Sequence, residues 1–447
     1  MTRADPLLPR PKAHDPALAY TDMLTGLGNR YRLRDNVRVL AAERADDPAP
    51  FAIGITNLDG FKPINDLFGS EAGDEILRQV AHRLEACLPD GAAVTRHGGD
   101  EFAFVLPLVF ERTGAEKFGQ MVKDVLAAPY DLGDRNVRLS ASFGFAIHPF
   151  AGDGYEPLLK SAETALYRSK RRGRGQITVY SSEIAQEMQR ATQLEQALRN
   201  AIINDAIDVH FQPIVDMKSE TVLGFEALAR WIDPELGFVS PAVFVPFAEE
   251  RGFIDSLSEG LLRKAAEAAL SWPREMFLSF NLSSVQLTDP ATAGNILVIL
   301  GRIGLDPHRL VLEITETAVV SSADTAHRII AELRAAGVRI ALDDFGTGHS
   351  SLGRLRDFTF DKVKIDRAFV SRLVNDPASE HIIRAIVSMC DGLGLQVVAE
   401  GIEEGAEAKI LADLGCSVGQ GYFYGRPVDN NATLAFLKDR NCEHVCI

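Results

Sequence analysis

The chain has 447 residues, too many for one ordinary domain, so two or three are expected. Its 62 acidic and 47 basic residues give a net charge of −15, which argues against a binder of polymeric nucleic acid but not against a small phosphate ligand held by metals and a few local cations. The five cysteines form no CxxC pair and no zinc spacing, no apolar run reaches membrane-spanning length, and no signal-type leader opens the chain; the reading is a cytoplasmic protein in a reducing compartment, without membrane insertion.

Residues 1–19 hold Pro6, Pro9, Pro11 and Pro16 without apolar periodicity and read as a disordered lead-in. From 20 to 180 helices and strands alternate, which predicts an α/β domain. The expected strands are 51–58, 93–95, 102–106 and 137–147, and the expected helices are 74–88 and 158–170. The two middle strands flank the turn HGGDE and read as a hairpin. Residues 182–204 carry Ile184, Met188, Ala191, Leu194, Leu198 and Ile202 at spacings of three and four, the pattern of one amphipathic helix. Glu195 and Arg199 are placed for an i,i+4 pair on it. The domain boundary is expected within 181–205, with a helix that either connects two domains or packs wholly against one.

A different rhythm fills 206–440. Strand-like runs recur at 209–215, 222–228, 277–282, 310–314, 338–342, 362–365, 396–399 and 417–423, and helix-like segments separate most of them. Eight strands with helical crossovers predict a (β/α)₈, TIM-like barrel. Only a short turn near Lys218 separates the first two runs, so the first strand is expected to be irregular and antiparallel.

Polar residues gather at the ends of these runs. Glu226 is on the second, Asn281 ends the third, Glu313 and Glu316 end the fourth, and Asp343 and Asp344 end the fifth. Lys364 and Asp366 end the sixth, Glu400 follows the seventh with Glu403 after it, and Gln420 lies in the eighth. Singly, each has an ordinary explanation: a solvated loop acid, an Asn281 helix cap, a Lys364–Asp366 pair. Together they would meet on one rim of a barrel, where barrel active sites sit. Two adjacent acids after a buried strand repel unless a cation neutralises them. An all-oxygen set of this kind suits hard divalent cations, and paired ions of that type serve phosphodiester hydrolysis.

The segments FEALARW, NLS, LEITE, DDFGTGHSS, KID, AEGIE and GQGYFYGRP, in this order, resemble the EAL-domain phosphodiesterases across residues 206–437. The resemblance implies hydrolysis of cyclic di-GMP to linear pGpG with two Mg²⁺ or Mn²⁺ ions. By resemblance, Glu226, Asn281, Glu313 and Asp343 hold one ion, and Asp343 and Asp344 help hold the other. Glu400 lies near the activated water as ligand or base, and Lys364 orients that water or stabilises the charged phosphate. Glu316 anchors the DFGTGHSS loop. Gln212, Leu228, Arg230 and Gln420 help hold the substrate.

The segments DMLTGLGNR, NLDGFKPINDLFGSEAGDE, RHGGDEF and YRSKRRGRG are similar to the GGDEF diguanylate cyclase family across residues 20–180. This implies a cyclase-like α/β domain with a ferredoxin-like palm. Lys62, Asn65, Asp74, Gly98, Gly99, Asp100, Lys170 and Arg174 match its GTP-holding positions. The metal carboxylate expected at the end of the first strand is Asn57, a neutral and weaker ligand, which counts against cyclase activity. Ser70 replaces the family's His, and Pro89 and Ala92 stand where its RxxD product-inhibition motif falls. The combined expectation is an active phosphodiesterase governed by a GTP-binding, cyclase-inactive partner domain, in a homodimer. A bifunctional cyclase/phosphodiesterase and a non-catalytic cyclic-di-GMP receptor are the alternatives.

Overall fold

The computed structural model describes residues 18–43, 50–133, 135–315, 323–345, 358–374 and 376–443. Glu316 and the loop carrying Gly346 and Gly348 lie outside them, as does nearly all of the expected lead-in; Leu18–Tyr20 forms a 3₁₀ turn. The chain divides into two compact units, Met1–Thr192 and Gln193–Ile447.

In the first unit the strands are β1 (Phe51–Asp59), β2 (Ala93–Gly98), β3 (Glu101–Leu106), a small β4 (Tyr130–Asp131) and β5 (Asn136–Val137) pair, β6 (Ser140–His148) and β7 (Ile177–Val179). The main sheet has the order β2-β3-β1-β6-β7, antiparallel except for β6 with β7. The single strand expected over 137–147 is thus divided, and its first residue belongs to a separate hairpin. β1 is buried along nearly its whole length because helices cover both faces of the sheet. Phe51, Ile53 and Ile55 pack with Leu33, Val37 and Leu158 on one side, and Ala52 and Leu58 pack with Ile76, Val80 and Phe118 on the other. Gly54 is required at the strand's centre, since a Cβ there would lie 2.4 Å from the Phe145 ring.

The helix Ser182–Ile203 runs through the division between the units. Within the first unit Glu187 pairs with Arg168 at 2.6 Å. Within the second, Glu195 pairs with Arg251 at 3.1 Å and Arg199 lies over the Phe253 ring. The i,i+4 pair expected between Glu195 and Arg199 is therefore replaced, because each side chain finds a tertiary partner.

The second unit is a barrel. Its strands are β8 (Asp208–Asp216), β9 (Val222–Asp233), a short β10 (Gly237–Val239), β11 (Phe277–Asn281), β12 (Leu310–Thr315), β13 (Arg339–Phe345), β14 (Lys362–Ile365), β15 (Gln396–Ala399) and β16 (Val418–Gln420). From β9 to β16 the barrel strands run parallel in chain order. β8 closes the ring antiparallel to both β16 and β9, as the short connection near Lys218 requires. β10 hangs on β9 outside the ring. Among the described residues no helix is long and apolar enough to cross a membrane.

Candidate active site

The parallel strands of the barrel deliver their C-terminal ends to one mouth. Glu226, Asn281, Glu313, Asp343, Lys364 and Gln420 arrive there on six different strands, and Glu400 follows directly after β15. Lys364 is the hub. Its ammonium lies 2.5 Å from Glu313 Oε2, 2.6 Å from Glu400 Oε1, 3.5 Å from Asp343 Oδ1 and 3.8 Å from Glu226 Oε1. The pair with Asp366 considered from sequence does not form. Asp366 instead caps the helix Arg367–Val370 by accepting from the Ala368 backbone N–H.

Amides fix the orientation of Glu226. Asn281 donates to its Oε1 at 2.7 Å and Gln420 to its Oε2 at 2.5 Å. Gln420 also donates to Gln212 Oε1, and Gln212 donates to the Gly425 carbonyl. Gln420 Oε1 is buried without a partner. Ser279, which sequence reasoning missed, donates to Glu313 Oε1 at 2.6 Å. Its signal was present: it sits two residues before Asn281, on the same face of β11.

Adjacent strand residues normally face opposite ways. Asp343 and Asp344 both line the mouth because β13 shifts register between Leu342 and Phe345, and Asp344 adopts a left-handed backbone with φ 55°. Asp344 N–H donates to Asp343 Oδ1 at 2.9 Å.

Four acids around one lysine leave surplus negative charge in a buried place. Burial and the Glu226 charge push the Glu313 carboxyl well above the usual carboxylate range. Burial raises Glu400 to about 8 despite Lys364. Burial, Asp343 and Asp366 raise Asp344. Glu226 goes the other way: burial opposes its charge, but Lys364 and the two amides outweigh it. Burial would discharge Lys364, yet the surrounding carboxylates hold its pKa well above normal. This donor set fits hard divalent cations, which would take up the unbalanced charge. Among the described residues no three acids are already spaced around an ion site.

Two cavities open on this cluster. One of about 610 Å³ runs from Asn281, Asp343 and Asp344 past Leu228 to Pro246 and Glu249. Another of about 210 Å³ lies between Gln212, Glu226, Gln420 and the outer residues Arg367, Glu403 and Tyr422. Arg230 is partly buried, and its guanidinium donates to the Ala229 carbonyl. Arg367 and Tyr422 were not singled out from sequence; each stands in a loop or helix start just past a strand.

In the first unit the turn between β2 and β3 uses Gly98 at φ 154° and Gly99 at φ 54°, conformations open to glycine. Arg96 clamps it, donating to Gly99 O at 2.8 Å and to Asp22 at 3.1 Å. Asn57 lies opposite Glu101 in the β1–β3 pairing and is buried. The next acid along β1, Asp59, accepts from Ser140, Ser142 and the Gly175 N–H, so its oxygens are already engaged. Asn65 Oδ1 is buried without a hydrogen-bond partner. A Cβ at Gly73 would lie 1.9 Å from that oxygen, so the glycine makes room for it. Asp74 lies on the following helix, Lys62 is exposed, and Lys170 and Arg174 lie at and beyond the end of Tyr155–Arg171.

A TIM-like barrel with acids, amides and a lysine at its mouth, following a mixed α/β unit with a Gly-Gly turn, defines a GGDEF–EAL tandem. The chain belongs to the EAL domain family, which matches residues 195–427, and the diguanylate cyclase GGDEF domain family matches residues 19–176. It is 35% identical over 422 residues to the bifunctional diguanylate cyclase/cyclic di-GMP phosphodiesterase MucR of Pseudomonas aeruginosa, covering 94% of this chain and 62% of that protein. It is 33% identical over 414 residues to the cyclic di-GMP phosphodiesterase PdeR of Escherichia coli, covering 92% and 62%. The PaMucR phosphodiesterase in complex with cyclic di-GMP matches in structure with TM-score 0.52 at 36% identity, covering 54% of this chain and 99% of that one. The chain spans between about half and three-fifths of the length of these and other curated relatives.

Proposed function

We propose that the barrel unit hydrolyses cyclic di-GMP to pGpG with two divalent cations, Mg²⁺ or Mn²⁺. The observation that supports this best is the convergence of four carboxylates and the Asn281 amide around Lys364. Glu226, Asn281, Glu313 and Asp343 would hold one ion, and Asp343 with Asp344 the second. Bound cations would supply neutralisation of the phosphate and activation of water. Lys364 adds a fixed positive charge where the phosphorane-like charge develops. Glu400, raised to about 8, is poised to take a proton from the attacking water or to serve as a ligand. Gln212, Leu228, Arg230 and Gln420 position the substrate, and the unpartnered Gln420 oxygen supports that role. The role proposed for Glu316, anchoring the loop, concerns a residue outside the described ones.

The first unit is proposed to bind GTP without cyclising it and to regulate the barrel. Asn57 removes a metal charge, Asp59 is already engaged, and the buried Asn65 oxygen suits a purine N–H donor. The test is pGpG production from cyclic di-GMP with Mg²⁺ or Mn²⁺, with and without GTP, against Glu226→Ala. Turnover lost in that variant supports the phosphodiesterase. Cyclic di-GMP bound without turnover would favour a receptor instead, and unchanged KM and kcat at saturating GTP would remove the regulatory role. A second reading, a bifunctional enzyme, is favoured by the likeness to MucR. Incubation with GTP and Mg²⁺, with Asn57→Asp as control, decides it. A homodimer is proposed as the assembly, and light scattering on the full chain measures it.

A further inference from the structure

The opposite end of the barrel holds a second lysine that the proposed chemistry leaves unused. Lys362 begins β14, two residues before Lys364, and points into the barrel with only 4% of its surface exposed. Its Nζ lies 3.6 Å from the centroid of the Phe277 ring, itself buried among Ile214, Val311, Ala341 and Val398. Among the described residues Nζ has neither a hydrogen-bond nor an ion-pair partner.

A second cation shares that ring. The Arg339 guanidinium, at the start of β13, is 5.3 Å from the same centroid. One of its nitrogens donates to the His308 carbonyl at 3.1 Å, but Nε is buried without a partner. The nearby Asp361 accepts from Arg334 and from the Ile340 N–H through one oxygen, Oδ2. A lysine amine without a protein hydrogen-bond partner and a guanidinium with a spare donor therefore share one aromatic ring in the barrel. Buried charges are ordinarily paired.

From this arrangement we infer that Lys362 is a carbon dioxide acceptor, forming a carbamate that Arg339 stabilises. The neutral amine's lone pair attacks the CO₂ carbon, a C–N bond forms, one C=O π pair moves to oxygen, and the amine proton leaves to water. The product is an N-carboxylate anion, which gives Arg339 Nε–H the acceptor it lacks. CO₂ is small and uncharged, so it suits an apolar barrel floor better than a charged reagent does. Burial first, and then Arg339, push the Lys362 amine down to about 7, which makes the neutral form available near neutrality; Glu313 and Asp361 act against this and Lys364 with it. The modification would put a negative charge on the strand that carries Lys364. It does not depend on the reaction proposed for the mouth.

The experiment uses the full chain in ¹³C-bicarbonate at pH 7.5–8, with trialkyloxonium trapping of carbamates and peptide mass spectrometry. A labelled adduct concentrated on the Lys362 peptide is expected, with occupancy about tenfold lower in Arg339→Gln, the factor associated with one charge-assisted hydrogen bond. No adduct at Lys362, or labelling spread evenly over the exposed lysines, overturns the proposal, and so does unchanged occupancy in Arg339→Gln. The trapping is read on the unaltered protein, so it stands even where a variant fails to fold.

Discussion

The residue that governs the mouth is Lys364, because one ammonium serves four carboxylates. Removing one partner from a buried ionic cluster costs about 3–5 kcal/mol, since the others stay desolvated and uncompensated. Lys364→Met is therefore expected to abolish turnover and to lower metal-free stability by about that amount at pH 7. At pH 8.5 the loss should be larger, because Glu400, raised to about 8, has then given up its proton and needs a counter-charge. Urea denaturation at both pH values measures it; equal losses would mean the lysine is not neutralising the acids. The identities of these residues were legible in the sequence, but their partners were not. Asp366 lies two positions from Lys364 in the chain, yet the strand turns the lysine into the barrel while the acid caps a helix. Sequence distance carries no information about which acids a barrel lumen brings together.

At the level of elements, β13 shows what a periodic reading misses. Apolar runs marked all eight barrel strands, because a parallel barrel buries both faces of its strands. The three-residue β10 was not found, since a half-exposed strand of that length has no pattern to read. The irregularity at 343–344 was equally hidden, as it resides in a register shift and one positive φ. It is nonetheless what lets two neighbouring acids share one face. Asparagine tolerates the left-handed region, whereas a β-branched residue does not. Asp344→Asn is expected to fold normally and to gain a few tenths to about 1 kcal/mol without metal, because it removes a charge facing Asp343 and Asp366. Asp344→Val should lose about 1–2 kcal/mol or more through backbone strain. Both should lose metal-dependent turnover. Denaturation midpoints separate the two effects, and an Asn variant as unstable as the Val variant would contradict the strain argument.

For the whole molecule, the acids at the mouth set an unusual pH response. Glu400 titrates at about 8 in the folded protein against 4.5 unfolded. Between those values the folded state holds the extra proton, so the stability it contributes is full below about pH 4.5 and is lost as pH rises through about 8. Metal-free protein is expected to melt progressively lower from pH 5 to pH 8.5. Glu400→Gln should flatten that fall, and saturating Mg²⁺ or Mn²⁺ should remove most of it by pairing the ionised acids. Calorimetry with and without chelator measures it, and a melting temperature that climbs with pH in the metal-free state would refute the assignment. The reversed β8 has a further consequence. In a regular (β/α)₈ barrel the chain arrives at the floor, remote from the reacting groups. Here Asp208, the first residue of β8, pairs with Arg230, beyond Glu226 in the direction of the mouth. The polypeptide leaving Gln193–Ile203 is therefore threaded in at the rim that gathers the acids, so a displacement transmitted through that segment reaches the site without first crossing the barrel.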